Sequence, residues 1–380
     1  MSAPFRRWRT LAVGVLLAVT ALAAAVAALW VTDQAVWQHR PPIDAWEPIR
    51  AAALALAAAC AVAAFVAIGL RAGLGARARG ICASMLSAWL TVVAMEAVFP
   101  WVARSHNVGY TMASHVWFER HWGVPNALGY RDREHAAAPG KKLVFCVGDS
   151  FTAGGGIADP ADRFSDRLAA ARPDLQVLNL GRNGADTVAE YRALTEHPLE
   201  PDAVVLQYYP NDLEGAAVAG GVRLPEFVPY EDIPSVKLRV VVRGSYLANF
   251  LYWLFPHADG RGYVQSMDGA QRDEAVLGRH LADLQRFVEY SRRRDVPLVV
   301  VLFPVLNDSL SCESLLARVA GVFRAAGIRV IEVADLVRDV PIAARVANPQ
   351  DAHASELVHA RVADALVQVL SEVEALRPVR

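Results

Sequence analysis

Three long, almost wholly apolar runs near the N-terminus restrict the fold of this 380-residue chain more than any other feature. They cover residues 10–32, 51–70 and 81–103. Each run is about as long as the ~20 residues that an α-helix needs to cross the hydrocarbon core of a bilayer. The sequence therefore predicts a membrane region over residues 1–103 that contains three transmembrane helices.

Basic residues beside these runs predict their orientation. Three arginines precede the first run and three more lie between the second and third: Arg6, Arg7, Arg9, Arg71, Arg77 and Arg79. Cytoplasmic loops carry such an excess of positive charge. We therefore expect a multi-pass protein of the cell (inner) membrane with a cytoplasmic N-terminus. Everything after Arg104 would then lie on the extracytoplasmic, periplasmic side.

A cleavable signal peptide is the alternative interpretation of the first run. Its arginines, its apolar stretch and the Ala-x-Ala choices around residues 23–28 fit that pattern, although the run is longer than a usual signal core. In either case the C-terminal domain is exported. Glu96 lies inside the third run, where an ionisable residue is a functional candidate. Its position near the outer end and Pro100 favours a hydrated, structural acid.

Charge and cysteine content exclude several classes of protein. The formal net charge is −1 and the C-terminal part has no basic stripe, so we expect no nucleic-acid partner. The four cysteines are scattered, with neither the spacing of a disulfide framework nor that of a metal site. Cys60, Cys82, Cys146 and Cys312 are predicted to be small buried hydrophobic residues.

From residue 143 onward, short apolar runs alternate with amphipathic helical stretches. The predicted strands are 143–148, 176–180, 203–209, 297–303 and 328–333. The predicted helices are 161–171, 186–196, 274–294, 312–326 and 356–373. Strands that alternate with helices indicate a parallel sheet with helices on both faces. The fold class predicted for residues 143–380 is α/β, as a three-layer, flavodoxin-like sandwich.

The first of these strands ends in a chemically distinctive turn. Residues 144–147 are apolar, the run breaks at Gly148, and an acid and a hydroxyl follow at Asp149 and Ser150. This pattern indicates a buried strand that displays Ser150 at its carboxyl end, where open α/β sheets bind ligands. Taken alone, Gly-Asp-Ser is more often a plain turn. A serine nucleophile would also require a base, a group that orients the base, and oxyanion donors.

Four short blocks in order resemble the SGNH (GDSL-type) hydrolase family. Gly148-Asp149-Ser150 looks like its first block, and residues 179–184, Asn-Leu-Gly-Arg-Asn-Gly, look like its second. Pro210-Asn211-Asp212 is similar to the third, and Asp351-Ala352-His353 to the last. The resemblance covers roughly residues 126–370. It implies the three-layer fold and an esterase that uses neither a metal nor an organic cofactor.

The resemblance also implies a role for each site residue. Ser150 would be the nucleophile, His353 its base, and Asp351 the acceptor that fixes the tautomer of the base. His353 precedes the last helix, in a Pro- and Asp-marked loop that a sheet can bring beside Ser150. The oxyanion donors would be the backbone N–H groups of Ser150 and Gly184 and the side-chain amide of Asn211. Without these partners, Asn-Asp and Asn-Gly pairs are ordinary turn formers.

Other residues near the blocks are expected to be structural, and three features depart from the family pattern. Asp149 and Asp212 are predicted to hold loops by accepting from backbone amides, and His359 to support the last helix. Tyr209 replaces a frequent glycine, and Ala354-Ser355 replaces the usual Pro-Asn. The spacing Asp-x-His, in place of Asp-x-x-His, resembles the branch that contains membrane-linked polysaccharide O-acetyltransferases.

Two segments interrupt the alternation of strands and helices. Residues 104–142 are irregular and aromatic-rich, which indicates a packed linker; within them 126–131 resembles a segment that precedes the catalytic domain in membrane-anchored relatives. Residues 213–273 are too long for an ordinary connection and are predicted to be an insertion near the active-site mouth. Inside it, 236–242 suggests an extra strand. Residues 246–254 suggest an apolar helix that caps the substrate site, packs on the membrane region or enters the bilayer surface.

The leading functional prediction is a membrane-anchored serine esterase that removes acyl groups, in the first place acetyl, from an envelope carbohydrate or lipid. A second hypothesis keeps the same residues but lets a sugar hydroxyl resolve the acyl-enzyme. The protein would then be a polysaccharide O-acyltransferase that requires a donor-supplying partner of envelope biosynthesis. A third hypothesis is a non-catalytic membrane protein whose sandwich binds a glycan or a partner.

Overall fold

The structure is a computed structural model that describes residues 3–38, 43–71, 74–102, 111–224, 233, 235–254, 258–308, 310–348, 351–373 and 376. The chain forms two compact units. We call residues 1–104, 109–119 and 228–256 the span unit, and residues 105–108, 120–227 and 257–380 the sheet unit. Arg104 and parts of the predicted linker and insertion (103–110, 225–232 and 255–257) lie outside the described residues.

Three long helices dominate the span unit: α1 (Ala3–Asp33), α2 (Ile43–Phe65) and α3 (Ala76–Val102). Short π-helical turns, Gln34–Gln38 and Val66–Arg71, continue the first two. Within the described residues, three helical stretches are long and apolar enough to cross a membrane, Arg7–Trp37, Ala45–Leu70 and Ala76–Pro100. They contain most of each predicted apolar run.

Three shorter helices include residues of the span unit: α4 (Met112–His121), α9 (Val236–Gly244) and α10 (Tyr246–Leu254). The strand predicted for 236–242 is wrong, because this segment forms α9. Ser235 caps α9 by accepting from the Leu238 N–H, and Val242 is buried against Ile233. Capping and packing thus override the β preference of the valine-rich run. The predicted helix 246–254 is present and, of its expected placements, packs with the spans.

Glu96 holds the start of α10. Its carboxylate accepts from the backbone N–H groups of Tyr246 at 3.1 Å and Leu247 at 3.2 Å, and from the Ser245 hydroxyl. Arg50 forms an ion pair with it at 3.4 Å. An anion at a helix N-terminus satisfies amides that have no partner within the helix. Glu96 is therefore structural, as predicted, but it is buried by this cluster and not hydrated.

The sheet unit is organised by a five-stranded parallel sheet in the order β2-β1-β3-β4-β5. The strands are β1 (Lys142–Gly148), β2 (Leu175–Gly181), β3 (Ala203–Tyr208), β4 (Leu298–Leu302) and β5 (Arg329–Glu332). All five lie where the sequence predicts them. A separate antiparallel pair consists of β6 (Val346–Asn348) and β7 (Asp351–Ala354). The order 2-1-3-4-5 is that of flavodoxin-like folds.

Helices connect these strands. They are α5 (Ser150–Ala153), α6 (Phe164–Ala171), α7 (Thr187–Thr195), α8 (Glu214–Ala219), α11 (Ala258–Ala270), α12 (Glu274–Arg294), α13 (Glu313–Ala325), α14 (Val333–Leu336), α15 (Ile342–Arg345) and α16 (Glu356–Glu372). Two 3₁₀ turns occupy Pro160–Asp162 and Pro210–Leu213. The five predicted helices correspond to α6, α7, α12, α13 and α16, with ends that differ by at most three residues.

Alternate residues of β1 enter two separate hydrophobic cores. Phe145 and Val147 pack with side chains of α7, α12 and α13, whereas Val144 and Cys146 pack with α6 and α16 on the opposite face. This alternation follows from the two-residue period of a strand. Burial of each large apolar side chain contributes about 1.5–3 kcal/mol. The sheet unit is thus a three-layer α/β sandwich, which confirms the predicted fold class.

Candidate active site

The turn after β1 places Ser150 at the first residue of α5. Asp149 caps this short helix by accepting at 2.8 Å from the N–H two residues further on, the loop-holding role predicted for it. Gln207 on β3 accepts from the backbone N–H groups of Asp149 at 3.2 Å and Thr152 at 3.1 Å. A Cβ on Gly148 would lie 2.3 Å from Gln207 Oε1, so the turn requires glycine. The nucleophile candidate is therefore held by the neighbouring strand.

A continuous chain of hydrogen bonds joins three of the predicted site residues. Ser150 Oγ lies 2.7 Å from His353 Nε2, and His353 Nδ1 lies 2.5 Å from Asp351 Oδ1. The Ser150 and His353 residues are each 9% exposed, and Asp351 is 1% exposed. Because a carboxylate can only accept, Nδ1 carries the proton and Nε2 is left to accept from the serine hydroxyl. This is the arrangement that a serine nucleophile requires.

Asp351 and His353 lie on a strand, β7, and not in a loop as the sequence suggests. Residues i and i+2 of a strand point to the same face. The short spacing Asp-x-His therefore brings the carboxylate directly to the imidazole. Asp351 Oδ1 also accepts from the backbone N–H of His353 at 3.0 Å, which fixes the orientation of the carboxylate.

The surroundings of His353 decide its protonation. Burial by itself lowers the pKa of the imidazole, but the charge and hydrogen bond of Asp351, together with the charge of Asp149, outweigh it and raise the pKa above its ordinary value. A glycine loop packs on the ring: a Cβ on Gly155 would lie 2.7 Å from His353 Cδ2. Phe151 lies on it as well, with ring centroids 5.0 Å apart. The base is thus confined by neighbours that leave no room to turn.

The three predicted oxyanion donors follow three adjacent strands. Ser150 comes after β1, Gly184 after β2 and Asn211 after β3, and β1 lies between the other two. Gly184 has φ +68°, a left-handed conformation that suits glycine. Asn211 is half-buried, and its side chain lies beside the Asp149 carboxyl, where it offsets a small part of the rise in pKa that burial causes in that group. All three residues therefore stand at the carboxyl edge of the sheet.

Two arginines that the sequence did not single out hold the loop after the serine. The Arg131 guanidinium is buried and donates to the carbonyls of Gly154 at 2.7 Å and Ile157 at 2.9 Å. Arg163 is also buried and donates to the carbonyl of Arg131. Because Gly154 and Ile157 flank Gly155, these contacts fix the loop that confines His353. The only signals in the sequence were the Gly-Gly-Gly run 154–156 and the 126–131 resemblance.

The 126–131 segment is a tight turn, in agreement with a packed linker. Asn126 Oδ1 accepts at 3.0 Å from the N–H groups of both Leu128 and Tyr130. Its amide donates to the carbonyl of Arg133 at 2.9 Å. The asparagine side chain therefore closes the turn, and the turn delivers Arg131 to the loop that follows Ser150.

Three carboxyl groups are buried behind the turn. Burial raises the pKa of Asp149, Glu190 and Asp212, and the charges of Glu190 and Asp149 further raise that of Asp212. Asp212 Oδ2 accepts from the Tyr209 N–H at 3.0 Å, as predicted. Neither oxygen of Glu190 has a hydrogen-bond partner within the described part of the chain, and its pKa is raised well above the ordinary value. The surroundings of Glu190 therefore favour its protonated form.

His359 has the structural role predicted for it. Its Nδ1 accepts from the Phe164 N–H at 3.1 Å, and its ring stacks on the Phe164 ring with centroids 5.7 Å apart. Burial, followed by the nearby Arg163 charge, lowers its pKa to about 3. A neutral imidazole of this kind joins α16 to α6. Across the residues that the structure describes, no group of three or more His, Cys, Asp or Glu side chains could hold a metal ion.

Comparison with known proteins finds similarity at the level of solved structures. AlinE4, a SGNH-hydrolase family esterase, is 13% identical with a TM-score of 0.33, over 62% of this chain and 98% of its own. A member of the lipolytic protein G-D-S-L family from Veillonella parvula DSM 2008 is 11% identical with a TM-score of 0.35, over 61% and 100%. The lipase/acylhydrolase from Enterococcus faecalis is 14% identical with a TM-score of 0.33, over 63% and 99%.

No family model matches the chain. No curated protein matches it either.

Proposed function

We propose that this protein is a membrane-anchored serine esterase that transfers an acyl group from an ester to water through an acyl-enzyme. The observation that carries this proposal is the hydrogen-bonded chain from Ser150 through His353 to Asp351. Ordinary side-chain packing does not need a buried serine with an imidazole at its hydroxyl and a carboxylate behind the imidazole.

In the proposed reaction, Ser150 Oγ attacks the acyl carbon while His353 Nε2 takes the hydroxyl proton. The imidazolium is stabilised by the Asp351 carboxylate. The negative oxygen of the tetrahedral intermediate accepts from the N–H groups of Ser150 and Gly184 and from the Asn211 amide. His353 then gives its proton to the leaving alcohol, and the acyl group stays on Ser150. Water, deprotonated by the same imidazole, releases the carboxylic acid and restores the serine.

The three apolar helices support a place for the reaction at a membrane. Helices of this length anchor a protein in a membrane, and the arginines beside them favour a cytoplasmic N-terminus. The sheet unit would then lie on the extracytoplasmic, periplasmic side of the cell membrane. Its substrate would be an acylated carbohydrate or lipid of the cell envelope. The packing of α9 and α10 with the three long helices supports this anchoring, because all five helices then belong to one compact unit.

The experiment that tests this proposal uses the full-length chain in detergent. It measures the release of p-nitrophenol from p-nitrophenyl acetate. Ser150→Ala and His353→Ala should each lower kcat/KM by at least about a thousandfold, as in other triads. Ser371→Ala removes an exposed serine of α16 and serves as the matched control, with wild-type activity expected. Full activity in Ser150→Ala would contradict the mechanism.

Addition of a polysaccharide acceptor to the same assay separates hydrolysis from acyl transfer. A hydrolase releases acetic acid whether or not the acceptor is present. Appearance of acetylated polysaccharide at the expense of acetic acid would instead assign the same three residues to an O-acyltransferase. A wild-type protein that cleaves no short acyl ester and acetylates no acceptor would favour a non-catalytic binding protein.

A further inference from the structure

A cavity of about 550 Å³ lies in the sheet unit at the carboxyl end of β2. One wall consists of Gly181, Arg182 and Asn183, which lead directly to Gly184. The facing wall includes Trp122 and the turn at 127–129. Because Gly181 pairs with Gly148 and the Arg182 N–H donates to the Gly148 carbonyl at 3.2 Å, this wall borders the turn that carries the serine. The cavity therefore borders the turn that leads to Ser150.

Arg182 is held in this cavity before any ligand binds. Its guanidinium lies over the Tyr130 ring, 4.4 Å from the centroid, and donates to the Leu128 carbonyl at 2.7 Å. The residue is nevertheless exposed. A guanidinium carries five N–H donors, more than these contacts use. Stacking thus fixes the plane of the group and leaves donors for a ligand, which lowers the entropy cost of binding.

The charge of the lining is positive. Arg182 and Arg131 line the cavity, and none of the described lining residues is acidic. Arg131 has its donors committed to backbone carbonyls, so Arg182 and the exposed amide of Asn183 are the groups that can contact a ligand. Outside the lining, the Glu134 carboxylate accepts from the Ala127 N–H at 3.0 Å.

We propose that this cavity, which we call the arginine groove, binds the alcohol part of the ester as an anionic sugar. A planar guanidinium matches the two oxygens of a carboxylate or of a phosphate. The exposed amide of Asn183 can bond the hydroxyls of the sugar. The inference rests on the proposed function, because it assigns the leaving group of that reaction. An acetyl group, the acyl group expected from the sequence in the first place, would need no cavity of this size.

The first test compares substrates on the full-length chain in detergent. The substrates are an acetylated polyuronate, an acetylated phosphate-bearing glycan, acetylated neutral xylan and p-nitrophenyl acetate. The measured quantity is kcat/KM on each glycan divided by kcat/KM on p-nitrophenyl acetate. Such a ratio cancels any general loss of folded enzyme.

Arg182→Gln should lower this ratio about tenfold or more for an anionic glycan, mainly through KM, since one charge-assisted contact is lost. The ratio for neutral xylan should stay the same. Arg182→Lys keeps the charge without the planar fork. Its ratio for an anionic glycan should lie between that of the wild type and that of Arg182→Gln. Arg192→Gln, an exposed arginine on α7, is the matched control and should change no ratio. An unchanged ratio in Arg182→Gln for both anionic glycans would overturn the proposal.

A binding measurement separates failure of this inference from failure of the proposed esterase. In the Ser150→Ala background, which needs no turnover, the deacetylated polyuronate and phosphate-bearing glycan are titrated into the full-length protein by calorimetry. We expect binding of at least one anionic polymer that weakens about tenfold with Arg182→Gln and weakens in high salt. Binding that is equal with and without Arg182, or no binding of either polymer, would contradict an anion site whatever the enzymatic outcome.

Discussion

The serine chain and the arginine groove lie at the same edge of the sheet but differ in how their polar atoms are satisfied. From Ser150 to Asp351 each group already has its partner, and the partners are buried. In the groove, Arg182 and Asn183 are exposed and keep donors unused. The first arrangement is complete before substrate arrives, whereas the second is completed by it. Changes to the serine chain should therefore affect every ester, and changes to the groove only charged ones.

The largest effect that sharpens this comparison is expected from Asp351→Asn. An asparagine can present its amide to Nδ1 and favour the wrong tautomer, which costs roughly a thousandfold or more in kcat. The loss should be the same for p-nitrophenyl acetate, for neutral xylan and for anionic glycans. Steady-state rates on the three substrates measure it. A loss confined to the glycans would show that Asp351 acts in substrate recognition. The serine chain and the arginine groove would then not differ in the way described above.

The same variant should also move the pH profile. His353 must be neutral to accept the serine proton. Because its pKa is raised above the ordinary histidine value of 6.5, the acid limb of the kcat/KM profile should also lie above pH 6.5. Activity is thus lost as the pH falls through this raised pKa. Without the Asp351 charge, burial dominates and the limb should move to lower pH. Arg182→Gln is expected to leave the limb in place, because Arg182 does not contact the imidazole.

A smaller but still general effect is expected from Gly155→Ala. The new Cβ would lie 2.7 Å from His353 Cδ2 and 2.8 Å from Nε2, so the imidazole must shift. A displacement of about 1 Å at the reacting groups costs on the order of a hundredfold in rate. Gly278→Ala on α12 is the matched control, because no atom lies within 4 Å of its new Cβ. Equal activity of the two variants would show that the glycine loop does not position the base.

The smallest effect concerns stability and comes from Glu190→Gln. Burial raises the pKa of Glu190 well above 4.5, so the folded state holds a proton that the unfolded state has released at neutral pH. Wild-type stability should therefore fall as the pH rises from 4.5 towards the raised pKa, by up to about 1.4 kcal/mol per pH unit. Glutamine has no proton to lose, and its melting temperature should exceed that of wild type at pH 8.

At pH 4 the two melting temperatures should coincide, since both side chains are then neutral. Scanning calorimetry of the full-length chain in detergent measures both values. A difference that does not change between pH 4 and pH 8 would show that Glu190 is ionised in the fold. That outcome would mean that this acid has a partner comparable to those of the serine chain.

Much of the sheet unit could be predicted from residue periodicity. The alternation of β1 side chains between two cores and the position of Gly148 at its end are local features, and they placed Ser150 correctly. The order of the blocks then predicted Asp351 and His353 as its neighbours, which the structure brings within hydrogen-bond distance. The positions of these residues could be predicted because each depends on a few consecutive residues and on a repeating topology.

Other features could not be read from the sequence because they depend on distant partners. The run 236–242 has the β-branched residues of a strand, yet burial of Val242 makes it a helix. Arg131 acts through the backbone carbonyls of Gly154 and Ile157, and a carbonyl acceptor carries no side-chain signature. In the sequence, Arg182 is only one residue of the block 179–184. Its stacking on Tyr130 and the cavity beside it arise when two separated loops meet.

Covalent labelling tests the central claim most directly. The full-length protein is treated with a fluorophosphonate, which reacts with activated serines, and the modified peptide is identified by mass spectrometry. The account predicts a single adduct on Ser150 that forms much more slowly in His353→Ala and is absent in Ser150→Ala. An adduct that persists in Ser150→Ala, or forms equally fast without His353, would contradict an activated serine at this site.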